Sequence, residues 1–190
     1  MRRVPSVVAI LFLFSMAGPG AAGTRQTSAG KEPIPATDVT GEVIQATLKD
    51  EIASGKPVVD RSVRVVDIGG HNIGVGVVYR LSAPSGGVSA VHDKVSEVYV
   101  MLEGAGTLVT GGKLVNPTRR EGGSIAQIVA QVNGPGVSGT SVEGGVSRRI
   151  KAGDFVVIPA GTPHWWSELE GKTMSYVVIR VDPDQVVALK

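Results

Sequence analysis

No cysteine occurs anywhere in the 190 residues. Disulfide bridges, thiolate nucleophiles and sulfur metal ligands are therefore excluded, stability must come from packing, and any bound metal has nitrogen and oxygen donors. Aromatic residues are also scarce, at 4% of the chain. The core must then be built from Val, Ile and Leu, and the abundance of β-branched valine favours strands over helices. Charge of one sign is lacking as well, with 19 Lys and Arg against 17 Asp and Glu. Without a basic excess there is no electrostatic footprint for nucleic acid.

What is present begins with an N-terminal segment in three parts: Arg2 and Arg3, an apolar run from Val4 to Ala17, then Ala21, Ala22 and Gly23 before Thr24. This is the layout of a secretory signal peptide. The run is shorter than the roughly 20 residues that span a bilayer, so the expectation is cleavage after Gly23, export to the periplasm or the extracellular space, and no stable membrane anchor thereafter. Cleavage removes two arginines and no acid, and the net charge falls from +2 to zero. Residues 24–57 read as a polar tether followed by a helix, and residues 58–190 as a strand-rich domain.

In the helix Val39, Val43, Ile44, Leu48 and Ile52 recur at helical spacing, with Thr37, Asp38 or Thr40 as N-cap and Gly55 as a stop. From Val58 onward short apolar segments alternate with glycines. Strands are expected over Arg61–Asp67, Asn72–Leu81, Glu97–Glu103, Gly106–Thr110, Asp154–Ile158 and Met174–Val181. Lys113–Gly145 reads as an insertion beside the barrel mouth, either a lid or an irregular cover. Within it Ile125, Ile128, Val129 and Val132 fit a short helix or a strand equally, and Gly134–Gly139 reads as a flexible turn. The pairs Arg119-Arg120 and Arg148-Arg149 read as solvated loop charges.

Two spaced motifs carry the chemistry. The first is His92, four residues, Glu97, six residues, Gly104; the second is Gly153, five residues, Pro159, one residue, Gly161, two residues, His164. Together they resemble the cupin superfamily, and the likeness runs from about Val63 to Val181. The resemblance implies an all-β, cupin-type antiparallel β-barrel, jelly-roll-like, with the helix as its one N-terminal addition. It also implies that the two motifs supply a metal-ligand set. Carried over residue by residue, the ligands are His92, Glu97 and His164. The family's first motif begins His-x-His, whereas this chain has Ala90-Val91-His92, so one expected histidine is missing.

Two imidazoles and one carboxylate suit a divalent ion, Mn, Fe, Zn or Ni, with open positions left for a small-molecule ligand. Strand alternation puts Tyr99 and Met101 on the Glu97 face. Tyr99 is the candidate catalytic acid or base; Met101, Trp165 and Trp166 are candidate substrate-binding residues, with one tryptophan facing the pocket and the other facing outward. His71 has no match in either motif, and Glu168 reads as a surface residue. The expected function is that of an exported metalloenzyme acting on a small organic molecule by oxygenase, isomerase or lyase chemistry. The alternative is a non-enzymatic barrel for a sugar or other small molecule, metal-free because Ala90 replaces a ligand. A homodimer is compatible with either.

Overall fold

The computed structural model describes residues 32–82, 87–120 and 128–190. The expected signal peptide and most of the tether lie outside the described residues, as does Ile125. The folded unit runs from Ile34 to Lys190. Its elements are α1 (Gly41–Ala53), β1 (Val58–Asp67), β2 (Asn72–Leu81), β3 (Ser89–His92), β4 (Ser96–Thr110), β5 (Lys113–Val115), β6 (Thr118–Arg119), a π-helical turn (Val129–Asn133), β7 (Gly136–Gly139), β8 (Ser141–Glu143), β9 (Val146–Lys151), β10 (Phe155–Ile158) and β11 (His164–Asp182). Every strand pair among the described residues is antiparallel.

Two long strands organise the fold. β4 and β11 pair with each other along both of their halves, from His164 opposite Thr110 to Val181 opposite Ser96, with register shifts between Trp166 and Tyr176. The first half of β4 pairs on its other edge with β10, and the second half with β9. Likewise the C-terminal half of β11 pairs with β2, and its first residue with β3. One arm of the sheet is thus β1-β2-β11-β4-β10 and the other β6-β7-β3-β11-β4-β9. The two segments expected as separate strands, Glu97–Glu103 and Gly106–Thr110, are one strand passing from arm to arm. It does so at Gly104, where φ is +79° and a Cβ would sit 2.5 Å from the Thr173 carbonyl oxygen. Only glycine satisfies both conditions.

The inward parity of the strands builds the core. Val78, Tyr99, Met101, Leu108, Val156, Ile158, Trp166, Met174, Tyr176 and Val178 pack as one buried cluster. The opposite face of β2 carries Val77 and Tyr79 and is covered by Ile44 and Leu48 of α1. The helix is capped by Thr40, whose hydroxyl accepts from the Val43 amide at 3.4 Å. Its buried stripe runs Ile44, Leu48, Glu51, while Val43 and Ile52, counted in the expected stripe, are 44% and 50% exposed.

Part of the expected insertion belongs to the main sheet. β7 pairs residue for residue with β3, His92 lying opposite Gly136. Gly136–Gly139, read as turn, is therefore strand. Its alternation was hidden because its two ends are glycines, where a Cβ would run into the Val91 carbonyl at Gly136 and the Val115 carbonyl at Gly139.

Candidate metal centre

The three sequence-predicted ligands meet. His92 closes β3, Glu97 is the second residue of β4 and His164 opens β11. The turn before β11 is tied to the first motif by the Gly161 amide, which donates to the His92 carbonyl at 2.7 Å. All three side chains are buried, at 5%, 2% and 7% exposure. Glu97 Oε2 lies 3.4 Å from His92 Nε2 and 3.6 Å from His164 Nε2. The ligand atoms of the three residues fall within 4.8 Å of one another. Such spacings suit donors that share one ion at about 2.1 Å each, so the donor set fits a divalent metal by position and by chemistry.

Sequence reasoning missed Arg180. It lies directly opposite Glu97 in the β11–β4 register. Its Nε donates to Glu97 Oε1 at 3.0 Å, and its Nη2 donates to Asp60 Oδ2 at 2.6 Å. A signal existed: Met174, Tyr176, Val178 and Arg180 share the inward parity of β11, and a guanidinium on that parity demands an anion. Tyr99 donates its hydroxyl to Glu97 Oε2 at 2.9 Å. Burial works against ionisation of Glu97, but the His92 imidazole and the Arg180 guanidinium hold its carboxyl well below the usual range. Of the two, Arg180 carries a permanent charge. Burial, reinforced by the Glu97 anion, pushes the Tyr99 phenol well above its ordinary value. The phenol is thus a fixed donor that orients Glu97.

The two histidines are held in different tautomers. His164 Nδ1 faces the Thr162 carbonyl at 3.0 Å. An oxygen acceptor there places the proton on Nδ1 and turns the Nε2 lone pair toward Glu97 Oε2. Burial, with His92 close by, pushes His164 down to about 4, so the ring is neutral at pH 7. His92 Nδ1 instead faces Arg120 Nη2 at 2.9 Å. A guanidinium only donates, so Nδ1 accepts and Nε2 bears the proton, directed at Glu97. The reading of Arg120 as a solvated loop charge is corrected: it is half-buried and touches a ligand. Its neighbour Arg119 pairs with Asp93 at 2.5 Å.

Trp166 is the tryptophan that faces inward. It is 2% exposed and stacks on Tyr99 with ring centroids 6.4 Å apart, while Tyr176 tilts against Tyr99 at 4.5 Å. Trp165 is half-buried and donates its indole N–H to the Gly87 carbonyl at 3.3 Å. Met101 is 3% exposed in the core cluster. Ala90, in place of the family's first histidine, lies opposite His164 in the β3–β11 register. His71 and Glu168 are exposed and take no part in the cluster.

No family model matches the chain, and no curated protein matches it. Among solved structures the chain is similar to a Bacillus halodurans protein, at 15% identity over 79% of this chain and 84% of that one, with a TM-score of 0.41. A Klebsiella pneumoniae protein with a double-stranded beta-helix domain aligns at 17% identity, covering 65% and 73%, with a TM-score of 0.36. A recombinant oxalate oxidase, determined in complex with glycolate, aligns at 18% identity over 66% of this chain and 51% of that one, with a TM-score of 0.36. At these values the likenesses bear on neither activity nor ligand. Internal to the chain, both motifs stand at their set offsets on antiparallel strands that bring His92, Glu97 and His164 to one point, the all-β arrangement that the resemblance to cupins implies.

Proposed function

We propose that the chain is an exported metal-binding barrel protein acting on a small organic molecule that offers an oxygen donor. The observation that carries this is the convergence of Glu97 Oε2 with two imidazole Nε2 atoms at 3.4 and 3.6 Å in a buried site. His92, Glu97 and His164 would hold the ion, Mn, Fe, Zn or Ni, and a divalent ion supplies Lewis-acid polarisation of an oxygen donor there. Around it Arg180 and Tyr99 fix the carboxylate, and the Thr162 carbonyl fixes the His164 ring. Export is supported by the Arg2-Arg3 start, the apolar run and the small residues before Thr24.

One observation favours a second reading, a metal-free barrel that binds a small molecule. Glu97 already receives an Arg180 N–H on one oxygen and the Tyr99 hydroxyl on the other, so its charge is balanced within the protein. Elemental mass spectrometry on the untagged protein, beside a His92→Ala control, separates the two. Near-stoichiometric metal in the parent with loss in the control supports the metal centre. Metal in neither, after incubation with Mn, Fe, Ni and Zn, leaves the metal-free barrel.

A further inference from the structure

The contact between Arg120 and His92 points to a device that sets how readily the site takes an ion; it rests on the metal-centre reading above. The guanidinium is held by built contacts. Both hydrogens of Nη2 are used, one on the Val91 carbonyl and one on His92 Nδ1, each at 2.9 Å. The Arg120 backbone amide donates to the Gly136 carbonyl at 2.9 Å. A Cβ on Gly136 would lie 2.0 Å from Nη2, so the glycine opposite His92 leaves the space that the guanidinium occupies. Among the described residues Arg120 Nε is buried without a partner, a penalty the arrangement tolerates.

We propose that Arg120 competes with the metal for His92. While the guanidinium donates to Nδ1, the neutral ring keeps its proton on Nε2, the atom that must coordinate. To coordinate, Nε2 has to lose that proton, and Nδ1 can receive it only when Arg120 withdraws, because two N–H donors cannot face each other at 2.9 Å. A ligating histidine ordinarily donates its other N–H to an acceptor, as His164 does to Thr162. His92 has the opposite partner. The site is therefore poised with one imidazole ready and one withheld, and Arg120 is a positioning residue that acts through His92.

Two measurements on the full chain test this. Long-range nitrogen–proton NMR of the metal-free parent reads the His92 tautomer directly; the proton on Nε2 is expected. Titration calorimetry with Zn(II) and with Mn(II) then compares the parent with Arg120→Met and Arg120→Gln. Both variants are expected to bind tighter by on the order of 10- to 100-fold, the usual reach of a residue behind a ligand, and both are expected to move the His92 proton to Nδ1. A parent with its proton already on Nδ1 overturns the proposal without any variant, so a misfolded variant does not protect it. Unchanged or weaker binding in folded variants, with the parent still binding, overturns the role of Arg120 and leaves the metal centre standing. No binding by parent or variants, with the tautomer as expected, removes the metal centre and this proposal together.

Discussion

Among the carboxylates buried in the described residues, Glu97 and Glu51 behave in opposite ways. Glu97, inside the barrel, is 2% exposed; Glu51, under α1, is 0% exposed. Glu97 has Arg180, Tyr99 and two imidazoles around it and is held well below the usual carboxylate range. Among the described residues Glu51 has no hydrogen-bond partner on either oxygen, and burial pushes it up to about 8, with Arg61 only partly offsetting. Burial is common to both, so partners decide the charge state. An ionised, oriented carboxylate is what a cation site requires. A neutral, unpartnered one under a helix is a stability penalty with no visible use.

The sharpest way to break the contrast is to make Glu97 resemble Glu51. Arg180→Met removes the permanent positive charge from both Glu97 and Asp60, and Asp60 Oδ1 is already buried without a partner among the described residues. Leaving the buried Glu97 and the half-buried Asp60 uncompensated costs roughly 3–5 kcal/mol. Urea unfolding at pH 7 measures it, and a loss below about 1 kcal/mol would mean that the pair contributes no more than a surface bridge.

The converse change removes the partnerless acid. Glu51→Leu is expected to stabilise the protein by on the order of 3 kcal/mol at pH 8. The gain should shrink as the pH falls. Glu51 binds its proton more tightly folded than unfolded, so its contribution is greatest in acid and is lost as pH rises from 4.5 toward about 8. A variant no more stable than the parent at pH 8 would show that water or Arg61 reaches the carboxylate.

His164 gives a slope of the other sign. Its pKa is lowered on folding from 6.5 to about 4, so the unfolded chain binds more protons between those values and stability falls as pH drops through them. The integral is about 3 kcal/mol. Between pH 4.5 and 6.5 the His164 and Glu51 slopes oppose each other, which predicts a flat stability profile there for the parent. In Glu51→Leu the same window should tilt, with stability climbing toward pH 6.5. Thermal melts at half-unit pH intervals distinguish a flat parent from a tilted one; two parallel profiles would contradict one of the two assignments.

The contrast also shows which parts of the molecule were legible in the chain. Glu97 could be placed inward because a carboxylate on the parity of Tyr99 and Met101 had a matching motif to explain it, and β2 was bounded correctly because its apolar segment follows the Gly69-Gly70 turn. Arg180 was equally marked by parity, yet a cation at the end of a strand invites the reading of a surface residue. Arg120 left no periodic trace, because a two-residue strand precedes it and its partner His92 is 28 positions away. Glu51 was hidden for another reason. The helix stripe was read from Val39, Val43, Ile44, Leu48 and Ile52; Ile44 and Leu48 do pack on β2, but the helix's other buried residue is the acid Glu51, while Val43 and Ile52 are exposed. Apolar spacing alone does not reveal which face a helix buries when one position on that face is charged.

The smallest expected effect belongs to a pair whose geometry is better than that at the centre. Arg149 grips both oxygens of Glu170 at 2.6 and 2.7 Å, closer than the 3.0 Å of Arg180 on Glu97. Its two side chains are 58% and 42% exposed, so water competes for every donor and acceptor and the charges are screened. Arg149→Ala should leave the urea midpoint where it is in the parent, even though it removes a two-point contact. A shift comparable to that of Arg180→Met would mean that contact length sets the worth of an ion pair in this protein. An unchanged midpoint means that dehydration sets it, and that the same guanidinium–carboxylate contact matters at Glu97 because water is kept from it there.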